Sequence, residues 1–148
     1  MEDQPNIRQI IYTSRGAPNF QVSQILSILS QSVRNNQRDS ISGFLIFKHG
    51  HFRQLIEGAT DVIEALYKRI DDDPRHTILT KDMDRMTTKR TFPMWAMALA
   101  ENGTGDALVG CTSHDPKLKG YMHVLDTSVG PESEGLDGAV KLLGGFNP

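Results

Sequence analysis

His51-Phe52-Arg53-Gln54-Leu55-Ile56-Glu57 decides the fold, because residues two apart on a strand share a face and this run puts Gln54 between Phe52 and Ile56. That face is apolar and is expected to be buried. A primary amide there has two N–H donors and two acceptor lone pairs to satisfy, and leaving one unmet costs about 1 to 3 kcal/mol. Gln54 therefore needs a polar partner. Immediately upstream, Ser42 to Phe47 is a second apolar run, joined to the first through Lys48-His49-Gly50-His51, so the two form a hairpin.

Working outward, Ile7 to Thr13 is rich in β-branched and aromatic residues and ends in the Gly, Pro and Asn of Ser14 to Asn19, which makes it a first strand followed by a loop. Asn19 caps a predicted helix running to about Val33, with Val22, Ile25, Leu26, Leu29 and Val33 on one face. Asn35 to Asp39 breaks that pattern. After the hairpin, Thr60 is the expected cap of a second helix with Val62, Ile63, Leu66, Tyr67 and Ile70 on one face, stopping at Asp71-Asp72-Asp73-Pro74. A carboxylate cluster opposes the helix dipole at that end, so Arg69 or Arg75 is expected to compensate it. A fourth strand falls within Thr77 to Met86 and a fifth over Met94 to Leu99.

The order β-α-β-β-α-β with one further strand predicts an α+β, ferredoxin-like split βαβ fold: a five-stranded mixed sheet with two helices on one face. Composition changes after about residue 100, where nine of the 13 glycines fall between Gly103 and Gly145. Residues 1–100 are read as one domain and 101–148 as a loosely structured extension, with a short helix over Leu136 to Leu143 and a role in output or interaction. A chain of 148 residues is long enough for one domain with a real core.

A formal net charge of -2 gives no electrostatic case for a nucleic-acid or anionic-membrane partner. No apolar run approaches the ~20 residues of a membrane span, and Met1 to Pro5 has neither the basic nor the apolar region of a signal peptide, so a cytoplasmic protein is expected. The single cysteine, Cys111, excludes an intrachain disulfide and reads as an ordinary thiol. His49, His51, His114 and His123 have no recognised metal-ligand spacing, and the loop Ser14 to Asn19 is too poor in glycine to cradle a phosphate.

In the first strand Ile10, Tyr12 and Ser14 point one way, and Tyr12 meets Gln54 if the two strands are neighbours, as this strand order makes them. A buried phenol needs a partner, and an amide carbonyl is a good one. The spacing by itself favours a core Tyr–Gln bond with no further role, and it also admits a pair facing a ligand. Asn36, after the first helix, and Arg75-His76, after the second, fall at one end of the helical layer.

Ile11-Tyr12-Thr13-Ser14, Asn35-Asn36 with Ser42-Gly43, Phe52 to Gly58, Asp73-Pro74-Arg75-His76 and Arg90-Thr91-Phe92 with Trp95-Ala96-Met97 occur in the order and spacing of BLUF domains, which the chain resembles from Ile7 to Leu99. The resemblance implies a blue-light photoreceptor, with no enzymatic activity of its own, that binds FAD between the two helices; it does not separate FAD from FMN. It implies Tyr12 and Gln54 as the photoswitch, with Gln54 also beside the flavin. Asn36 would complement the flavin N3–H and C4=O, Arg75 would stand near C2=O, and Asn35 and His76 would line the ring. Ser14, Trp95 and Met97 would relay the signal to a protein effector, and a homo-oligomer is expected. Ser42 stands where threonine is usual in the family, and the Gly-rich extension replaces the usual helical end. The rival reading is a cofactor-free ferredoxin-like regulatory or assembly domain.

Overall fold

The computed structural model describes residues 4–20, 24, 35–36, 38–91, 95–101, 108–112 and 123–124; the side chains of Lys48 and of residues beyond 91 lie outside that description. The hairpin closes as its sequence demands. β2 (Ser42–Lys48) and β3 (His51–Ala59) pair antiparallel from Ser42↔Glu57 to Lys48↔His51, across a two-residue turn. His49 and Gly50 take φ of 50° and 77°, the left-handed pair whose twist matches that of the strands. β1 (Ile7–Gly16) lies on the other side of β3, with Ile10↔Ile56 and Tyr12↔Gln54 as cross-strand partners. β4 (His76–Thr87) pairs with the free edge of β1, with two register shifts. The order β4-β1-β3-β2 is that of the split βαβ fold.

Beyond β2 the sheet continues further than expected. β5 (Trp95–Glu101) runs parallel to β2, making the sheet mixed, and β6 (Leu108–Thr112) and β7 (His123–Val124) extend it to seven strands. The expected five-stranded sheet is therefore too small: Leu108-Val109-Gly110-Cys111-Thr112 pairs with β5 despite its glycine, and a five-residue strand leaves little periodicity to read. The helix expected over Leu136 to Leu143 lies outside the described residues.

α1 (Thr60–Asp71) is the second predicted helix. Its cap is Ala59 and not Thr60, and the Thr60 hydroxyl instead reaches Met86 Sδ at 3.6 Å. Asp61 in the first turn and Lys68 and Arg69 in the last complement the dipole. Ile63 is fully buried and Val62, Leu66, Tyr67 and Ile70 pack partly buried on the Ile10, Leu45, Phe47, Phe52 and Ile56 face of the sheet. Full burial of a side chain such as Ile63 stabilises by roughly 1.5 to 3 kcal/mol, and the partly buried ones contribute proportionately less. Gly58 allows this close approach, since a Cβ there would stand 3.3 Å from the Ser40 carbonyl and 3.4 Å from Ile63. The first predicted helix lies largely outside the described residues; Gln24, Asn35 and Asn36 are helical, and Phe20 packs on the same core. Among the described residues no helix is long and apolar enough to cross a membrane.

The opposite face of the sheet is also buried. Ile11, Phe44, Ile46 and Leu55, which alternate with the helix-facing residues, are as inaccessible as those that meet α1. On the outer strand pair, Arg8 donates to both oxygens of Asp84 at 2.9 and 2.8 Å, a fork that holds the Asp84 carboxyl down to about 2 from its usual 3.8. A carboxyl more acidic in the folded than the unfolded chain contributes stability above its ordinary range that is lost as pH falls through about 2. Between pH 4 and pH 2 the loss is expected to be at most about 2 kcal/mol, reduced by the partial exposure of the pair. Acid titration of unfolding free energy checks it, since Asp84→Asn should flatten that part of the curve and leave the rest unchanged.

Candidate functional site

Tyr12 and Gln54 are brought together as the strand order requires. They are directly opposed across β1 and β3, at 4% and 8% exposure, and the Tyr12 hydroxyl donates to Gln54 Oε1. With Oε1 engaged, the nitrogen end of the amide carries its donors. Burial, and then the neighbouring Tyr67 and Asp73, push the Tyr12 pKa up, so the phenol is neutral throughout the physiological range. Its ring meets Tyr67 edge-on at 5.9 Å and His76 edge-on at 6.2 Å.

His76, at the start of β4, ties this face to α1. Its Nε2 stands 2.6 Å from the Ile70 carbonyl, which only accepts, so Nε2 is the donor. In the neutral ring Nδ1 then accepts from the Ser14 hydroxyl at 2.8 Å, satisfying a fully buried serine. Ser14 lies two residues beyond Tyr12 on the same face, opposite Phe52. Arg75 turns to Asp73: its Nε and Nη2 bond the carboxylate at 3.0 and 2.6 Å, and its backbone N–H adds a third bond at 2.9 Å. Of the carboxylates at the end of α1, Asp73 is thus met by Arg75, which holds it below its usual range, while Lys68 and Arg69 lie in the last turn of the helix itself. Asn36 is buried and Asn35 half-buried, and the Asn36 carbonyl accepts from Ile41 N–H at 2.8 Å, fixing the chain where the first helix gives way to β2.

Trp95 and Met97 are placed by backbone only, in β5 opposite Thr112 and Cys111. Leu99, four residues after Trp95, shares the row Tyr12–Gln54–Leu45 through its pairing with Leu45. Their side chains lie outside the described residues. His49 and His51 sit at the hairpin turn, where His51 Nδ1 bonds the His49 carbonyl at 2.9 Å.

Sequence reasoning missed a second polar cluster, on the other face of the sheet. Gln9, Glu57 and Ser42 form one cross-strand row, all buried, and Arg90 and Thr91 close over it. The signal was present in the alternation, which puts Glu57 on the face of Leu55 and Arg53 and away from Ile56.

Two buried primary amides, Gln54 and Asn36, each carry the donors and acceptors that a planar heterocycle bearing carbonyls and an N–H requires. The Arg75 guanidinium, next to His76 in the chain, is engaged by Asp73. The sequence model for "Sensors of blue-light using FAD" matches residues 7–98. The chain belongs to the BLUF family. BLUF domains are flavin-binding photosensors, and the residues matched are those that build β1 to β4, α1 and the first part of β5. The blue light- and temperature-regulated antirepressor BluF of Escherichia coli is 34% identical over 90 residues, covering 61% of this chain and 22% of that protein. The photoactivated adenylate cyclase subunit beta of Euglena gracilis is 32% identical over 92 residues, covering 62% of this chain and 11% of the other. This chain thus corresponds to about a fifth or less of those relatives' length. Among solved structures, the BLUF protein BlrB in its dark state is 33% identical with a TM-score of 0.62, over 66% of this chain and 74% of that one. A bacterial light-regulated adenylyl cyclase is 35% identical with a TM-score of 0.59, over 66% and 29%.

Proposed function

We propose that Tyr12 and Gln54 operate this BLUF domain as a reversible switch whose output passes to a protein effector. The observation that carries this reading is the hydrogen bond from a buried, neutral phenol to the oxygen of a buried amide on the neighbouring strand. When bound, the flavin supplies the absorption of blue light and, once excited, a destination for an electron. Tyr12 is the donor. An oxidised phenol is a strong acid, and the acceptor already in place for its proton is Gln54 Oε1. An amide protonated on oxygen releases a proton readily from nitrogen, here toward the ring that would hold the electron; when one electron and one proton have returned to Tyr12, Gln54 would be left rotated or as its tautomer. No net oxidation remains, and what has changed is which end of the amide donates.

Asn36 and Arg75 would hold the polar edge of the flavin, with Asn35 and His76 lining it. FAD is the form in the family description, and FMN shares the ring that these residues address. Two routes would lead away from the Tyr12–Gln54 pair: along the sheet to Trp95 and Met97 in β5, and from Tyr12 through its ring contact with His76, which bonds Ser14 and the Ile70 carbonyl at the end of α1. Residues 101–148 are assigned to output or interaction, the chain to a homo-oligomer, and the site of action to the cytoplasm.

An absorption spectrum before and after blue illumination tests this directly. Purified protein is expected to be yellow and to show a reversible shift to longer wavelength, because a bond strengthened toward the ring carbonyl stabilises the excited state more than the ground state. A colourless protein that takes up no added FAD or FMN would return the chain to the cofactor-free reading.

A further inference from the structure

Glu57 is 0% exposed, three residues from Gln54 on β3 and on the opposite face of the sheet. Its Oε1 accepts from Gln9 Nε2 and from the Thr91 backbone N–H, both at 2.8 Å, and its Oε2 accepts from the Ser42 hydroxyl at 2.8 Å. The two neutral side chains among these donors are themselves backed by cations. Arg85 on β4 donates to Gln9 Oε1 at 2.8 Å, and Arg90 donates to Ser42 Oγ at 2.9 Å. Each intermediary is polarised so that its hydrogen toward Glu57 is more positive, which offsets the desolvation of the carboxylate. Gln9 also donates to Thr91 Oγ1 at 3.0 Å, and Arg90 reaches the backbone carbonyls of Glu57 and Ser40 at 3.2 and 2.5 Å.

The result is a single carboxylate that joins β1, β2, β3 and, through Arg85, β4 to the segment Arg90-Thr91. That segment leads into β5, and Thr91 is four residues before Trp95. Four residues reach at most about 14 Å, so a fixed Thr91 backbone limits where β5 can begin. An apolar cluster would give comparable burial without directing any one backbone N–H, whereas Glu57 fixes the Thr91 backbone by name and by bond.

We propose that Glu57 is a positioning residue for the light response: by clamping Thr91 it sets where β5 enters the sheet, and hence how the Trp95–Met97 stretch is delivered relative to Gln54. The functional half of this inference rests on the reading of β5 as the relay; the structural half does not. Trp95 is the chain's single tryptophan, so its fluorescence reports on β5 alone.

The test uses the full chain with Glu57→Gln and Thr91→Val, each measured flavin-free and flavin-loaded, with Thr91→Ser as the variant that retains the hydroxyl. Without flavin, Glu57→Gln and Thr91→Val are expected to change the Trp95 emission maximum and its quenching by acrylamide, and Thr91→Ser to restore the wild-type values. With flavin, the same two variants are expected to keep flavin binding and the direction of the shift, but to alter the dark-recovery rate by about fivefold, the factor that one ordinary hydrogen bond represents. If Glu57→Gln does not fold, Glu57→Asp, which keeps the charge and draws the carboxylate one methylene back from the Thr91 backbone N–H, carries the test and is expected to change Trp95 quenching and dark recovery in the same way, whereas Thr91→Val probes only the bond from Gln9 to the Thr91 hydroxyl. Wild-type Trp95 quenching together with wild-type recovery in the variants that fold overturns the proposal. A wild-type chain that shows no red shift defeats the photoswitch reading instead, while the flavin-free Trp95 measurement still decides the clamp.

Discussion

Tyr12→Phe is expected to leave a folded protein that binds flavin and shows no absorption shift under blue light. The substitution removes one hydroxyl and keeps the ring, so the edge-on packing against Tyr67 and His76 is retained. The stability cost is about 1 to 3 kcal/mol, because a buried amide oxygen loses this donor, and the functional cost is complete, because phenylalanine can neither give up an electron at this energy nor donate a proton to Gln54 Oε1. Gln54→Ala should behave alike by removing the group whose two ends exchange. The measurement is a light-minus-dark difference spectrum at matched flavin occupancy. A normal, reversible shift in either variant would refute the roles assigned here. Tyr67→Phe is the control: Tyr67 lies on α1 with its centroid 5.9 Å from that of Tyr12, and losing its hydroxyl is expected to leave the shift in place.

The Tyr12–Gln54 pair was legible because both signals that determine it are local. Alternation within His51 to Glu57 gives the face of Gln54, and the order of elements makes β1 its neighbour. The hairpin was legible for the same reason, since the left-handed turn at His49-Gly50 is written in two residues. Glu57 was not, although it stands three residues from Gln54. A polar residue on a strand alternating with Leu55 is ordinarily solvated, and what makes Glu57 a buried hub is Gln9, Ser42 and Thr91, which are distant in sequence and ordinary in type. Arg75 was half-legible. Its place beside His76 followed from the helix end, while its engagement by Asp73 depends on the turn at Pro74 bringing the two together. β6 and β7 were hidden by glycine content, which argues against a strand only until a neighbour with the right register is present.

Phe44→Ala is expected to destabilise the protein by about 3 to 5 kcal/mol, the range for truncating a fully buried aromatic side chain. Phe44 is 1% exposed and is opposed across the hairpin by Leu55, with Ile11 next in the row, all on the face away from α1. A sheet covered only by helices on one side would leave that row in water, and the same substitution would then cost less than about 1 kcal/mol. The sequence carries the distinction, since Phe44-Leu45-Ile46-Phe47 is apolar at every position and a strand of that kind is buried on both faces. Urea unfolding checks it. The midpoint should fall with little change in slope, because the surface exposed on unfolding is nearly the same. Leu79→Ala on β4, at 47% exposure, should shift the midpoint by no more than about 0.5 kcal/mol. If the two variants lie within that margin of each other, the face opposite α1 is not a core. If they separate as expected, the Glu57 cluster lies within a second packed layer, where a displaced segment has no solvent to yield into and a carboxylate can hold the entrance of β5.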